Sequence, residues 1–135
     1  MQKRFPIFII LFIIAGLVIS SCEGNDAIPL KIVSSLPLTG SARVQSMAIS
    51  NGMQLRVEQA GNKACGGKYR IVYESWDDAS TALGKWDPDV EAQNANNAVN
   101  DKSIIAYLGT FNSGAAKISM PILNQAVMRS EDSRV

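Results

Sequence analysis

Histidine is absent from the 135-residue chain, and cysteine occurs only twice. These absences exclude a histidine general base, histidine-ligated zinc and a four-cysteine metal cluster. An excess of one charge is also lacking, because 13 basic and 12 acidic residues leave a formal charge of +1. Such a chain is not an electrostatic nucleic-acid binder, and we expect no nucleic-acid partner, metal or cofactor. Because a histidine base and the common metal-ligand sets are missing, we predict that the protein is not an enzyme.

The length is that of one domain with one modest core, and the N-terminus is typical of a secretory signal. Lys3 and Arg4 precede an uncharged apolar run, 7–19. At about 1.5 Å per residue this run is shorter than the roughly 30 Å hydrocarbon core of a membrane.

Residues 19–22, Ile-Ser-Ser-Cys, resemble a bacterial lipobox. We therefore expect residues 1–21 to be a lipoprotein signal peptide and Cys22 to carry the lipid; the alternative is an ordinary secretory signal with an incidental cysteine. The expected location is the extracytoplasmic face of the cytoplasmic membrane, or the periplasm. The mature chain then has one ordinary cysteine, Cys65, so we expect no disulfide within it.

After a short tether, 22–30, the apolar pattern predicts alternating strands and helices. The predicted strands are 30–36, 69–76 and 103–108, and the predicted helices are 41–60, 89–100 and 113–126. This order predicts an α/β fold with a doubly wound parallel sheet. Pro88 is expected at or just before the first turn of the second helix, and Pro121 is expected to kink the third.

The first predicted helix has an apolar face and clear end signals. Thr39 or Ser41 is the expected N-cap, and Gly61 is the expected terminator. The face expected to be buried consists of Val44, Met47, Ala48, Leu55 and Gln59.

The predicted topology locates a binding site. In an open sheet that begins at its centre, the first and third strands are neighbours, and ligands bind beyond their carboxyl ends. The segments there, 38–41 and 110–114, are rich in glycine and hydroxyl groups, and each opens a helix. Because unpaired N–H groups at a helix start attract anions, we predict a carboxylate site there. Its candidate residues are Thr110, Phe111, Asn112, Ser113 and Gly114, with Ser41 and Gln45 from the first helix. The alternatives are that Ser113 is only a helix cap and that Gln45 is only a surface residue.

Two acidic patterns favour structural roles. Asp87, Asp89 and Glu91 have the alternate spacing of a calcium loop, but no turn glycine follows, so helix capping and solvation are the preferred interpretation. Asp77 and Asp78 have no accompanying nucleophile or metal set, and we expect them to cap the next turn. Trp76 and Trp86 flank this acidic loop, where stacking on a ligand is an alternative to packing the loop onto the sheet.

Several strings together resemble one protein family: LPLTGS at 36–41, NGMQL at 51–55, YESWDDAS at 73–80 and YLGTFNSGAAKISMPIL at 107–123. The segment 31–127 looks like the first part of a branched-chain amino acid type (type I) periplasmic solute-binding protein of ABC importers. The resemblance implies two α/β lobes that close on an amino acid or small amide, and an ABC permease complex as partner. It also implies that a serine at the start of the third helix holds the ligand's carboxylate, which matches Ser113.

The chain departs from this family near its end. After residue 128 the segment 129–135 is charged and lacks strand character. We therefore expect residues 31–128 to be a partial N-terminal lobe of about three βα units, without the second lobe. Three functions stay open: a lipid-anchored binding component of an importer, a ligand-sensing receptor domain of the same fold, and an inactive truncated remnant.

Overall fold

The computed structural model describes residues 27–132. The predicted signal peptide, Cys22 and the end of the charged tail, 133–135, lie outside the described residues. Two short 3₁₀ turns accompany the main elements, at Gly40–Ala42 and Cys65–Gly67. The strands are β1 (Ile28–Leu36), β2 (Lys63–Ala64), β3 (Tyr69–Asp77), β4 (Ala79–Ser80), β5 (Lys85–Trp86) and β6 (Ile104–Leu108). The helices are α1 (Arg43–Gln59), α2 (Pro88–Asn100) and α3 (Ser113–Asp132).

The main sheet has the order β2-β3-β1-β6. Strand β1 pairs in parallel with β3 and with β6, so the first and third predicted strands are neighbours, as expected. Strand β2 adds a short antiparallel edge, and β4 and β5 form a separate two-stranded hairpin. These three two-residue strands were not predicted, because two residues are too short to show a strand period.

Consecutive serines of β1 show how the helices cover both faces of the sheet. The Ser34 hydroxyl lies 2.7 Å from the Tyr73 hydroxyl, which in turn donates to Ser50 of α1. The Ser35 hydroxyl instead donates to Glu91 of α2. Because successive side chains of a strand point to opposite faces, α1 covers one face and α2 the other, with α3 packed beside α2. The prediction of a doubly wound parallel sheet is confirmed.

The predicted buried face of α1 is wrong. Val44 and Leu55 are 79% and 53% exposed. The residues that α1 buries are Ser46, which is completely buried, and Ser50, which is 8% exposed, on the opposite side of the helix. Small serines let α1 approach the sheet closely, and the hydroxyl of Tyr73 meets Ser50 there. Of the other residues of the predicted face, Ala48 and Gln59 are exposed and Met47 is half-buried.

The expected N-caps of α1 are also wrong, because a 3₁₀ turn precedes the helix and neither turn nor helix has a side-chain cap. The hydroxyl of Thr39 donates to Asp77 instead, which holds the end of β1 to the end of β3. Gly61 follows the helix with a φ of +68°, which agrees with its predicted role as terminator.

The two later helices begin where the sequence predicts. Asp87 caps α2 by accepting a 2.9 Å hydrogen bond from the Asp89 N–H, and Pro88 is the first helical residue. Helix α3 begins at Ser113 but continues to Asp132, beyond the predicted end at 126, with Pro121 inside it. The charged segment after Met128 contains good helix formers, which explains why the helix extends into it. Within residues 27–132, no helix is long and apolar enough to cross a membrane.

Candidate functional site

The loop after β1 is held by one carboxylate at the carboxyl end of β3. Asp77 accepts hydrogen bonds from the N–H of Leu38 at 2.8 Å and from the hydroxyl of Thr39 at 2.7 Å. It also accepts from the N–H of Ala79 at 2.9 Å, two residues ahead, which is the turn-capping role predicted for it. The loop is thus fixed by a neighbouring strand.

The β4–β5 hairpin lies against both loops of the predicted site. The N–H of Ser41 donates to the carbonyl of Gly84 at 3.1 Å, and a side chain on Gly40 would collide with that carbonyl. On the other side, a side chain on Gly114 would place its Cβ 2.5 Å from Cζ2 of Trp86. The hairpin therefore joins the loop after β1 to the start of α3, against which Trp86 packs.

The start of α3 is the part of the site that suits an anion. The N–H of Ala116 donates to the carbonyl of Asn112 at 3.2 Å, which is the first hydrogen bond of the helix. The N–H groups that precede it have no acceptor within the helix, and the positive end of the helix dipole lies among them. Thr110 tightens the entry, because its hydroxyl donates to the same Asn112 carbonyl at 2.7 Å.

The structure brings the candidates together only in part. Ser113 is the exposed first residue of α3, and Phe111 beside it is 41% exposed, so a hydroxyl and an aromatic ring both face solvent at the helix start. Ser41 reaches the hairpin through its backbone. Gln45 is exposed on the first turn of α1, which leaves its surface interpretation intact. Within residues 27–125, the side chains of Ser41 and Gln45 make no hydrogen bond to residues 110–114. The roles of all the candidates in binding stay predictions.

A groove of about 390 Å³ lies away from this site, between the C-terminal half of α2, strand β6 and α3. Val99, Ile105 and Leu123 are among the apolar residues that line it. Its place beside Asp101 and Lys102, before β6, puts it at the end of that strand opposite to Thr110. We therefore locate the candidate site from the topology and the hydrogen bonds rather than from this groove.

Comparisons with known proteins bear on the fold. No protein-family model matches the chain, and no curated protein matches it. The chain is similar to the crystal structure of a possible leucine/isoleucine/valine-binding protein from Rhodopirellula baltica SH 1, with a TM-score of 0.61 and 19% identity. The likeness shows the fold. It covers 78% of this chain and 27% of that chain, so this chain shares the fold of about a quarter of that protein's length.

A buried polar cluster below the site was not predicted. Ser35 donates to Glu91 at 2.5 Å and accepts from Asn94 at 3.0 Å, and Tyr107 donates to the other oxygen of Glu91 at 3.0 Å. Asn94 also donates to the carbonyl of Asp77 at 3.0 Å, which connects the cluster to the site loops. We call Ser35, Glu91, Asn94 and Tyr107 the buried cluster. Burial raises the pKa of Tyr107 above its ordinary value, so this hydroxyl remains a donor.

Glu91 corrects the interpretation of the acids at 87–91. Asp87 caps the helix as expected, but Glu91 is completely buried rather than solvated. One signal could have revealed it, because Glu91, Asn94, Ala95 and Ala98 share the spacing of a single helix face. The alanines mark that face as the buried one, and the two polar residues on it need partners inside the protein. Trp76, the other tryptophan of this region, lies within β3 and donates to Glu74 at 3.1 Å.

Proposed function

We propose that the protein is a solute-binding protein that holds an amino acid of the branched-chain type by its carboxylate at the start of α3. The observation that carries the proposal is the free N–H end of α3 at the carboxyl edge of a binding-protein-like sheet, joined to the loop after β1 by the hairpin. Parallel sheets bind ligands at this edge, where neighbouring strands lead into helices on opposite faces. The exposed ring of Phe111 offers an apolar surface beside the carboxylate site.

The first prediction is that the full-length chain, in a mild detergent, binds L-leucine weakly and through its carboxylate. A hydrogen bond to a charged group contributes about 1.5–3 kcal/mol, whereas millimolar affinity needs about 4 kcal/mol. We therefore expect a dissociation constant above about 1 mM, detected as saturating shifts of the Ser113, Gly114 and Ala115 amide resonances in an NMR titration. Leucinamide, which has no carboxylate, should leave these resonances unchanged.

Ser113→Ala should weaken the binding of leucine several-fold, up to about tenfold, because a charge-assisted hydrogen bond is lost. Thr81→Ala is the matched control, since Thr81 is exposed and lies outside the proposed site. Equal shifts with leucine and leucinamide would remove the carboxylate from the proposal, and a Ser113→Ala variant with unchanged affinity would remove Ser113.

The proposal extends to the membrane, where a lipid on Cys22 would anchor the protein beside an ABC permease complex as the binding component of an importer. The second prediction is that Cys22→Ser moves the protein from the membrane fraction to the soluble fraction of disrupted cells. Acyl chains contribute about 0.8 kcal/mol per buried methylene, so several chains together hold a protein durably. Cys65→Ser is the control, because Cys65 is an exposed free thiol within the domain and should not affect fractionation. Wild-type membrane levels of the Cys22→Ser variant would contradict lipid anchoring.

A further inference from the structure

One buried acid has no role in the proposed binding site. Asp78 is completely buried, and within the described residues neither of its carboxylate oxygens has a hydrogen-bond partner. Its backbone is held on both sides: the N–H donates to the carbonyl of Leu36 at 3.0 Å, and the carbonyl accepts from the N–H of Asp87 at 2.7 Å. The side chain therefore cannot reach water unless these connections loosen, and an unpaired carboxylate in such a place is costly.

The groups that face Asp78 increase this cost. Helix α2 contributes Glu91, which is also completely buried, and the end of β3 contributes Asp77. On strand β6 the nearby titratable group is Tyr107, whose pKa is raised in part by Asp78. The stretch of β1 beside Asp78 consists of Ser34, Ser35 and Leu36 and carries no charge. Burial, then Glu91 and then Asp77 raise the pKa of Asp78 to about 7, and among the described residues no basic group opposes them.

Asp78 lies at the base of the β4–β5 hairpin. Strand β4 begins at the next residue, and Asp87, which bonds to the Asp78 carbonyl, directly follows β5. Between them the hairpin carries Gly84 and Trp86, which contact the two loops of the site. A negative charge on Asp78 therefore lies beside the two backbone hydrogen bonds, to Leu36 and from Asp87, that position the hairpin.

We propose that Asp78 is a proton-binding site that couples the hairpin, and the two loops it joins, to pH. With the proton bound, Asp78 is neutral and the hairpin stays seated between the loops. Release of the proton leaves a buried negative charge beside Glu91, and the hairpin loosens at its base to let water reach the carboxylate. This coupling needs no ligand and stands whether or not the protein binds amino acids.

The direction of the effect follows from proton binding. Because the folded protein holds this proton more tightly than the unfolded chain, whose carboxyl titrates near 3.8, raising the pH destabilises the fold. The unfolding equilibrium constant should rise up to about tenfold per pH unit between about pH 4 and about pH 7, and then level off. Hydrogen bonds from Ser103 and Ser80 lower the pKa values of Asp101 and Asp87, so these groups change stability only in more acidic solution.

The third prediction tests the proposal on the full-length chain in a mild detergent. Urea unfolding followed by tryptophan fluorescence should show an unfolding constant about 100-fold larger at about pH 8 than at about pH 5. Hydrogen exchange of the Asp87 amide, corrected for its intrinsic pH dependence, should lose protection over the same range. Asp78→Asn should abolish both changes, whereas Asp89→Asn, at an exposed site in the first turn of α2, should keep them.

An Asp78→Asn variant that retains the pH dependence would overturn the proposal, as would a wild-type protein whose stability does not change between these pH values. Should the variant fail to fold, the carboxyl carbon resonance of Asp78 in the wild-type protein decides. A titration midpoint near neutrality supports the proposal, and a midpoint near the ordinary value overturns it.

Discussion

Gly109→Ala is expected to destabilise the protein by about 3 kcal/mol or more, measured as the free energy of unfolding in urea. Gly109 follows β6 with a φ of +142°, a conformation that side chains rarely adopt. A Cβ at this position would lie 2.6 Å from the carbonyl oxygen of Ser35 and 3.5 Å from the Ser35 nitrogen. Because Ser35 is completely buried in the central strand, its backbone cannot yield without disturbing the sheet and the buried cluster.

Gly61→Ala separates the two causes of the loss expected for Gly109→Ala, which are the unfavourable φ and the collision of a Cβ with β1. Gly61 also has a positive φ, +68°, but a Cβ there would meet nothing within 4 Å. The free energy of unfolding of this control should therefore fall by only about 1 kcal/mol, which is the cost of the left-handed conformation. Equal losses in the two variants would mean that the approach of Gly109 to β1 contributes nothing to the effect.

Glu91→Ala is expected to cost about 3 kcal/mol of unfolding free energy, since it removes the centre of the buried cluster. The hydroxyls of Ser35 and Tyr107 both donate to Glu91, and both would lose their acceptor inside the protein. The deleted carboxyl would also leave a cavity, whose cost adds to that of the unpaired groups. The loss of repulsion towards Asp78 offsets part of this cost, which keeps the expected value near the lower end of the range for a broken buried network.

Two variants calibrate this prediction. Glu91→Gln keeps the shape and one acceptor oxygen, so its loss should be smaller than that of Glu91→Ala. Glu58→Ala removes an exposed glutamate from α1, whose side chain hydrogen-bonds only to Gln54 within the described part, and should change stability by about 0.5 kcal/mol at most. A loss for Glu91→Ala no larger than for Glu58→Ala would contradict the structural role of the cluster.

The position of the two loops of the proposed site was predictable from the sequence, but the hairpin that connects them was not. The segments 38–41 and 110–114 follow from the strand order, because the carboxyl ends of neighbouring parallel strands meet at one edge. Their connection through Gly84 and Trp86 was not predictable, since two-residue strands carry no period and a hairpin is defined by its contacts. The start of α3 at Ser113 is a local property, whereas its use by a ligand depends on groups that are distant in the chain.

By itself the sequence determined the order of the three long strands and the helices, the parallel sheet and the starts of α2 and α3. Strand runs, helix caps and glycines act over a few residues, and the handedness of crossovers then decides which strands are neighbours. Only the tertiary structure decided which polar residues are buried. The sequence alone did not show that Ser50 on α1, Glu91 on α2 and Asp78 after β3 are buried, because solvent is the default partner for a polar side chain. In the fold, Ser50 accepts a hydrogen bond from the hydroxyl of Tyr73, and Glu91 accepts one from the hydroxyl of Ser35. The carboxylate of Asp78 is buried without such a partner among the described residues. Burial depends on what packs against a residue from elsewhere in the chain, so the local sequence does not show it.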